Sequence, residues 1–344
     1  MTTSDFDFDL PPALIAQTPL PRRDASRLLV LDRAANTRKH MYFTDLPDLL
    51  RPGDCLVIND SRVLPARLFG VTSSGAAVET LLLRDLGDGN WICLTRPGRR
   101  TRRGTVISYG DGLLTGTVTA EEAEGSRVIH FSHEGIFLEL LDTLGEMPLP
   151  PYIKTRLDDP ERYQTVYARV PGSAAAPTAG LHFTPALMDT LRNRGVLIHA
   201  VTLHVGLGTF RPVKAEDFSQ HTMHAEYAVV SEETARAVNA ARDAGGRVIA
   251  VGTTACRTLE SFTDAKGRLQ PCAGFTDIFI TPGYHFRALD GLITNFHLPR
   301  STLLMLVSAL AGREAILEAY REAISLRYRF FSFGDAMFIG SHIL

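Results

Sequence analysis

Hydrophobic and polar positions along this chain follow three rhythms. Up to about residue 65, short apolar runs alternate with polar loops. Residues 12–17 (P-A-L-I-A-Q) predict a first helical turn, and 27–32 (R-L-L-V-L-D) a strand running into a polar loop. Residues 46–53 (L-P-D-L-L-R-P-G) predict a helix closed by Pro-Gly, and 55–60 (C-L-V-I-N-D) a buried strand ending on polar side chains.

From about Arg67 to Gly145 the runs shorten and alternate: A-V-E-T-L-L-L, N-W-I-C-L-T, G-T-V-I-S-Y, L-L-T-G-T-V-T and S-R-V-I-H-F. Strands at a spacing of roughly 10 residues, separated by turns such as G-D-G-N and Y-G-D-G, predict a small antiparallel barrel or sandwich. We read residues 66–146 as a domain inserted into a first domain made of 1–65 and 147–344, with M-P-L-P-P-Y-I as a proline-stiffened return.

After residue 160, strands alternate with helices. Thr184 and Pro185 predict a helix start, and that helix ends at Arg194-Gly195. Strands are then predicted at V-L-I-H-A-V-T-L-H-V-G, V-I-A-V-G, D-I-F-I-T-P and L-I-T-N-F-H-L-P. Helices are predicted at 232–245, from Thr253, and from Ser301. This alternation argues for a mostly parallel sheet with helices on both faces.

Composition narrows the class. The 344 residues suit two domains at roughly 150 residues each. A hydrophobic share of 45% and a formal charge of −2 describe an ordinary globular chain and exclude a uniformly basic nucleic-acid binder. Cys55, Cys93, Cys256 and Cys272 form no C-x-x-C, and the acidic start lacks an apolar targeting segment, so a reduced, cytoplasmic protein is expected.

In open α/β sheets, ligands bind at the carboxyl ends of strands beside helix starts. Three turns have that address: P-T-A-G-L-H-F-T with Thr178, Gly180 and His182; V-G-T-T-A-C-R with Thr253 and Thr254; and T-N-F-H-L-P-R-S-T with Asn295 and His297. A fourth stretch, L-H-V-G-L-G-T-F-R-P-V, offers Gly206 and Gly208 for close backbone approach. It is no dinucleotide fingerprint, because Arg211 stands where G-x-G-x-x-G needs glycine.

H-T-M-H-A-E (His221, His224, Glu226) looks like half of a zinc signature. The matching P-C-x-x-C is missing, so it reads as a polar edge rather than a metal site. Arg96, Arg99, Arg100, Arg102 and Arg103 crowd eight positions of the inserted region, either as a solvated hairpin or as a phosphate-backbone contact.

Taken together, these blocks resemble the S-adenosylmethionine:tRNA ribosyltransferase-isomerases of queuosine biosynthesis. The resemblance runs end to end: D-A-S-R-L-L-V-L-D, V-I-N-D-S-R-V-L-P-A-R-L-F-G, G-E-M-P-L-P-P-Y-I, R-Y-Q-T-V-Y-A, A-A-P-T-A-G-L-H-F-T, V-T-L-H-V-G-L-G-T-F-R-P-V, T-N-F-H-L-P-R-S-T and Y-R-F-F-S-F-G-D-A-M. Ala225 stands where the family usually has serine, and residues 73–135 match least.

The resemblance implies a three-layer α/β domain with a mostly parallel or mixed sheet, carrying a small antiparallel β-barrel. It implies S-adenosylmethionine as a consumed ribosyl donor, with no metal or redox cofactor. The implied acceptor is 7-aminomethyl-7-deazaguanine at the tRNA wobble position, giving epoxyqueuosine with release of adenine and methionine. A monomer acting in the cytoplasm is expected.

A sulfonium acidifies the neighbouring C5′ hydrogens, so such chemistry needs a positioned base, a donor to departing adenine, and exclusion of water. His182, His204, Glu226 and His297 are the candidate catalytic set. Asp60, Arg62, Asp277 and Asp335 join Thr178, Gly180, Gly206, Thr253, Thr254 and Asn295 as substrate-orienting candidates, and Arg99, Arg100, Arg102 and Arg103 as tRNA contacts. Two rivals are a methyltransferase and a non-catalytic tRNA-binding protein. The first would need a Gly-rich loop that is absent after the first strand, and the second leaves the polar strand ends unexplained.

Overall fold

The structure, a computed structural model, describes residues 1–122, 125–206, 216–218 and 221–344. Gly208 and Arg211 lie outside these described residues. Among them, no helix is long and apolar enough to cross a membrane.

In chain order the first strands are β1 (Arg27–Asp32), β2 (Thr37–Tyr42), β3 (Cys55–Asn59) and the short β4 (Ser61–Val63). Then come β5 (Arg67–Thr72), β6 (Ala77–Gly87), β7 (Asn90–Arg96), β8 (Val106–Tyr109), β9 (Leu114–Glu121), β10 (Ser126–His133) and β11 (Gly145–Glu146). The last are β12 (Val170–Ser173), β13 (Leu197–Leu203), β14 (Glu226–Val230), β15 (Val248–Val251), β16 (Cys272–Thr276), β17 (Gly291–Asn295) and β18 (Ala336–Gly340). The helices are α1 (Leu46–Leu49), α2 (Phe137–Leu144), α3 (Pro185–Asn193), α4 (Glu232–Asp243), α5 (Gly252–Phe262), α6 (Thr302–Ala311) and α7 (Arg313–Ser325).

These elements group into two units. The larger comprises Met1–Ser61, Pro151–Arg169 and Pro177–Leu344; the smaller comprises Arg62–Pro150 and Val170–Ala176.

The larger unit is built on a nine-stranded mixed sheet, ordered β16-β14-β13-β3-β15-β17-β18-β1-β2. Its central strands β13, β3, β15 and β17 run parallel. β3, β15 and β17 are buried at every position, as expected of strands covered on both faces. Because side chains alternate along a strand, Leu29 and Leu31 of β1 join one core with residues of α4 to α7. Leu28 and Val30 join the opposite core with α1 and α3. The result is three layers, helix on sheet on helix.

Six strands of the smaller unit close a barrel in the order β5-β6-β7-β10-β9-β8, with β8 returning to pair with β5. Tyr109 fills its interior and shares a 2.7 Å hydrogen bond with Thr80. Gly70 makes room for that ring, since a Cβ there would lie 2.6 Å from it.

One predicted strand is misplaced. D-I-F-I-T-P (277–282) forms no strand; the ladder opposite β14 is taken one step earlier by Cys272–Thr276. The Thr276 hydroxyl accepts the Ile278 N–H at 3.3 Å and also bonds Ser261, which turns the chain out of the sheet. Local apolarity suggested the strand, but the available partner decided where it formed.

Candidate active site

Register brings several strand ends to one rim of the larger sheet. The parallel strands β3, β13, β15 and β17 all end there. β14 and β18 begin there because they run antiparallel to β13 and β17, pairing Leu203 with Ala228 and Asn295 with Ala336. β1 begins there too, since Leu28 pairs with Ala336 in parallel.

On one side of the rim, Asn295 organises a closed hydrogen-bond chain. Its Nδ2 donates to the Phe331 carbonyl at 3.2 Å, which settles how the amide faces, because a carbonyl can only accept. Oδ1 then accepts the Thr178 hydroxyl at 3.0 Å, and Nδ2 donates to His182 Nε2 at 3.1 Å. Nε2 is therefore the acceptor, and Nδ1 carries the proton and donates to Ser26 Oγ at 2.7 Å. The His182 ring is buried and stacks on Phe43 with centroids 5.0 Å apart. Burial, with the Arg329 and Arg23 charges nearby, pushes its pKa down to about 3. His182 is thus a neutral ring with both nitrogens engaged, bordering a cleft also lined by Arg23, Arg162 and Phe333.

His297, just past β17, is buried as well. Its Nε2 lies 2.9 Å from the Thr294 hydroxyl and its backbone N–H donates to Tyr320 Oη. Desolvation pushes its pKa down to about 3.

The other side of the rim is unfinished. Glu226, the first residue of β14, pairs with Nη1 of Arg257 and accepts the Gly206 N–H at 2.9 Å. Arg257 is 3% exposed, yet among the described residues its Nε and Nη2 have no partner. Thr254 Oγ1, one turn earlier on α5, is buried and also unpartnered. Gly252, at φ +87°, turns the chain from β15 directly into that helix. His204, just past β13, stacks on Tyr227 and, among the described residues, its Nδ1 has no partner. Burial lowers its pKa against the opposing pull of Asp60.

The remaining candidates are spread more widely. Asp60 is buried, accepting the Thr202 hydroxyl at 2.6 Å and Arg169 Nη2 at 2.8 Å. Thr253 is buried in the first turn of α5. Asp277 is exposed just beyond β16. Asp335 is buried but faces its own scaffold, accepting the backbone N–H of Arg27 and of Arg329, each at 2.8 Å. Gly180 serves packing: a Cβ there would lie 2.0 Å from the Tyr167 hydroxyl.

Arg62 belongs to the smaller unit, as do Arg99, Arg100, Arg102 and Arg103. Those four arginines are exposed on a loop braced by Arg127, whose Nε donates to the Thr101 carbonyl at 2.7 Å. Among the described residues, no three His, Cys, Asp or Glu side chains are placed to hold a metal.

Sequence reasoning missed Ser26, Phe43, Tyr167 and Arg257. Ser26 and Tyr167 sit in blocks that carried the family resemblance, whereas Phe43 lies outside them. Arg257 follows the small-residue turn it serves and carried no signal of its own.

The larger unit is thus a three-layer α/β unit whose strand ends form a polar rim, the address at which such sheets bind ligands. The chain matches the family of queuosine biosynthesis proteins over residues 3–339 and belongs to that family, as a transferase-isomerase. It is 61% identical to a Symbiobacterium thermophilum protein named S-adenosylmethionine:tRNA ribosyltransferase-isomerase, across 98% of this chain and all of that one. It is also similar to the crystal structure of an S-adenosylmethionine tRNA ribosyltransferase from Thermotoga maritima. That structure has TM-score 0.58 and 40% identity, covering 98% of this chain and all of the other.

Proposed function

We propose that this chain transfers and isomerises the ribosyl group of S-adenosylmethionine onto a 7-aminomethyl-7-deazaguanine at the tRNA wobble position. The products are epoxyqueuosine-tRNA, adenine and methionine. In this reading it works in the cytoplasm as a monomer and consumes S-adenosylmethionine without a metal or redox cofactor. The observation that carries it is the rim itself, where Arg257, Thr254 and His204 keep buried polar atoms unpartnered on a chain of this family. Orphaned buried polar atoms are costly, and native proteins retain them chiefly where function uses them.

Roles follow from the geometry. His204, neutral and with Nδ1 unengaged, is suited to take a proton from the carbon next to the sulfonium. His182, neutral and doubly bonded, holds Asn295 and the cleft wall in place. The apolar burial around His182 and His297 keeps water from reactive intermediates. The exposed arginines 99, 100, 102 and 103 serve the tRNA phosphate backbone.

The test incubates the protein with S-adenosylmethionine and tRNA carrying the aminomethyl base, following adenine release and nucleoside mass. Adenine release with a nucleoside heavier by the rearranged ribosyl group is expected. A methylated nucleoside would mean a methyltransferase, and tRNA binding without adenine release a non-catalytic binder. Full turnover in folded His182→Ala and His297→Ala would remove those two residues from the site.

A further inference from the structure

Arg257 is anchored at one edge only. Nη1 is held by Glu226, while Nε and Nη2, the two parallel donors of the guanidinium's side edge, are buried and have no partner among the described residues. That edge has the spacing of a carboxylate, which it can bind through two parallel charge-assisted hydrogen bonds. Two more observations place a ligand beside it. Thr254 and Arg257 are three residues apart on α5 and share a helix face, and Thr254 Oγ1 is unpartnered too. Helical side chains lean toward the N-terminus, which here has no side-chain cap and whose dipole favours an anion.

We propose that this edge of Arg257, with the Thr254 hydroxyl, receives the carboxylate of the amino-acid end of the sulfonium donor. The inference rests on the donor assigned above. An oxyanion is the shared chemistry, and a tRNA phosphate is its other source. Two features favour the carboxylate. The site is nearly closed to solvent, so it admits a slender amino-acid chain more readily than a nucleic-acid backbone. Glu226 already neutralises Arg257, so the site suits a zwitterion, whose ammonium offsets its own carboxylate, better than a second bare anion.

Calorimetric titration of the full chain with S-adenosylmethionine, with its decarboxylated analogue and with unmodified tRNA tests this, using the native protein and Arg257→Lys. Lysine keeps the charge beside Glu226 but loses the fork, and a thermal melt checks its folding. The native protein is expected to prefer S-adenosylmethionine over the decarboxylated analogue by about tenfold to a hundredfold. Arg257→Lys should lose that preference while binding the analogue and tRNA as before. Equal binding of both compounds by the native protein overturns the carboxylate site while leaving the donor assignment intact. No binding of either overturns the donor assignment and the site with it. A loss confined to tRNA binding overturns the carboxylate in favour of a phosphate.

Discussion

The two sides of the rim are built from similar materials to opposite ends. Around Asn295, every polar atom named has a partner: Thr178, His182, Ser26 and the Phe331 carbonyl close into a chain without loose ends. Around Glu226, one ion pair is complete and, among the described residues, the next polar atoms along are left open on Arg257, Thr254 and His204. A satisfied network makes a rigid wall, whereas an unsatisfied one stores binding free energy for whatever completes it. The contrast separates polar groups that the fold already satisfies from groups that it leaves open, a distinction that residue type alone does not make.

The largest effect expected from disturbing this contrast is at Glu226. Glu226→Gln leaves the Arg257 charge buried and uncompensated, which should cost about 3–5 kcal/mol in urea denaturation. A change below about 1 kcal/mol would show that the charge already finds compensation elsewhere.

The satisfied side should reveal itself in pH dependence. His182 and His297 are held near 3 in the fold, against about 6.5 in the unfolded chain. Between those values the unfolded chain binds more protons, so stability is full above about pH 6.5 and is lost as pH falls toward 3. Each ring adds a slope of up to about 1.4 kcal/mol per pH unit. Unfolding measured from pH 7 to 4.5 should show this slope, and His182→Gln should flatten it by about one proton. An unchanged slope would mean that His182 already titrates normally in the fold.

The smallest effect belongs to the open side. Thr254→Val removes a buried hydroxyl that bonds nothing among the described residues while keeping the shape, so stability should rise, by about 1 kcal/mol. KM for S-adenosylmethionine should rise severalfold. A stability loss above 2 kcal/mol would place that hydroxyl on the structural side of the comparison.

Much of the frame was legible in the chain. The buried runs at 27–32, 55–60 and 248–252 became β1, β3 and β15, and the alternating runs after Arg67 became barrel strands. Thr184 and Ser301 cap α3 and α6 as their residue types suggested, accepting the N–H of Leu187 and of Leu304. The strand expected at 277–282 failed because pairing, a nonlocal event, chose its neighbour. Part of the site was visible for the same local reasons: Asn295 and Thr254 sit at strand–helix turns, the places where α/β sheets gather ligands, and His182 ends the tight turn just before α3.

Local pattern, then, was enough to write the layers, the barrel and the turns that face the rim, because periodicity and caps act over a few residues. What each polar side chain does there was decided only by the fold. His182 and His204 look equivalent in a string of letters; contacts to Ser26 and Asn295, 156 and 113 residues away in the chain, close one of them, while the other keeps a ring nitrogen unbonded. Arg257 ended the quoted turn V-G-T-T-A-C-R without standing out in it, and became prominent only when Glu226, 31 residues earlier, took one edge of it out of water and left the other without a partner among the described residues.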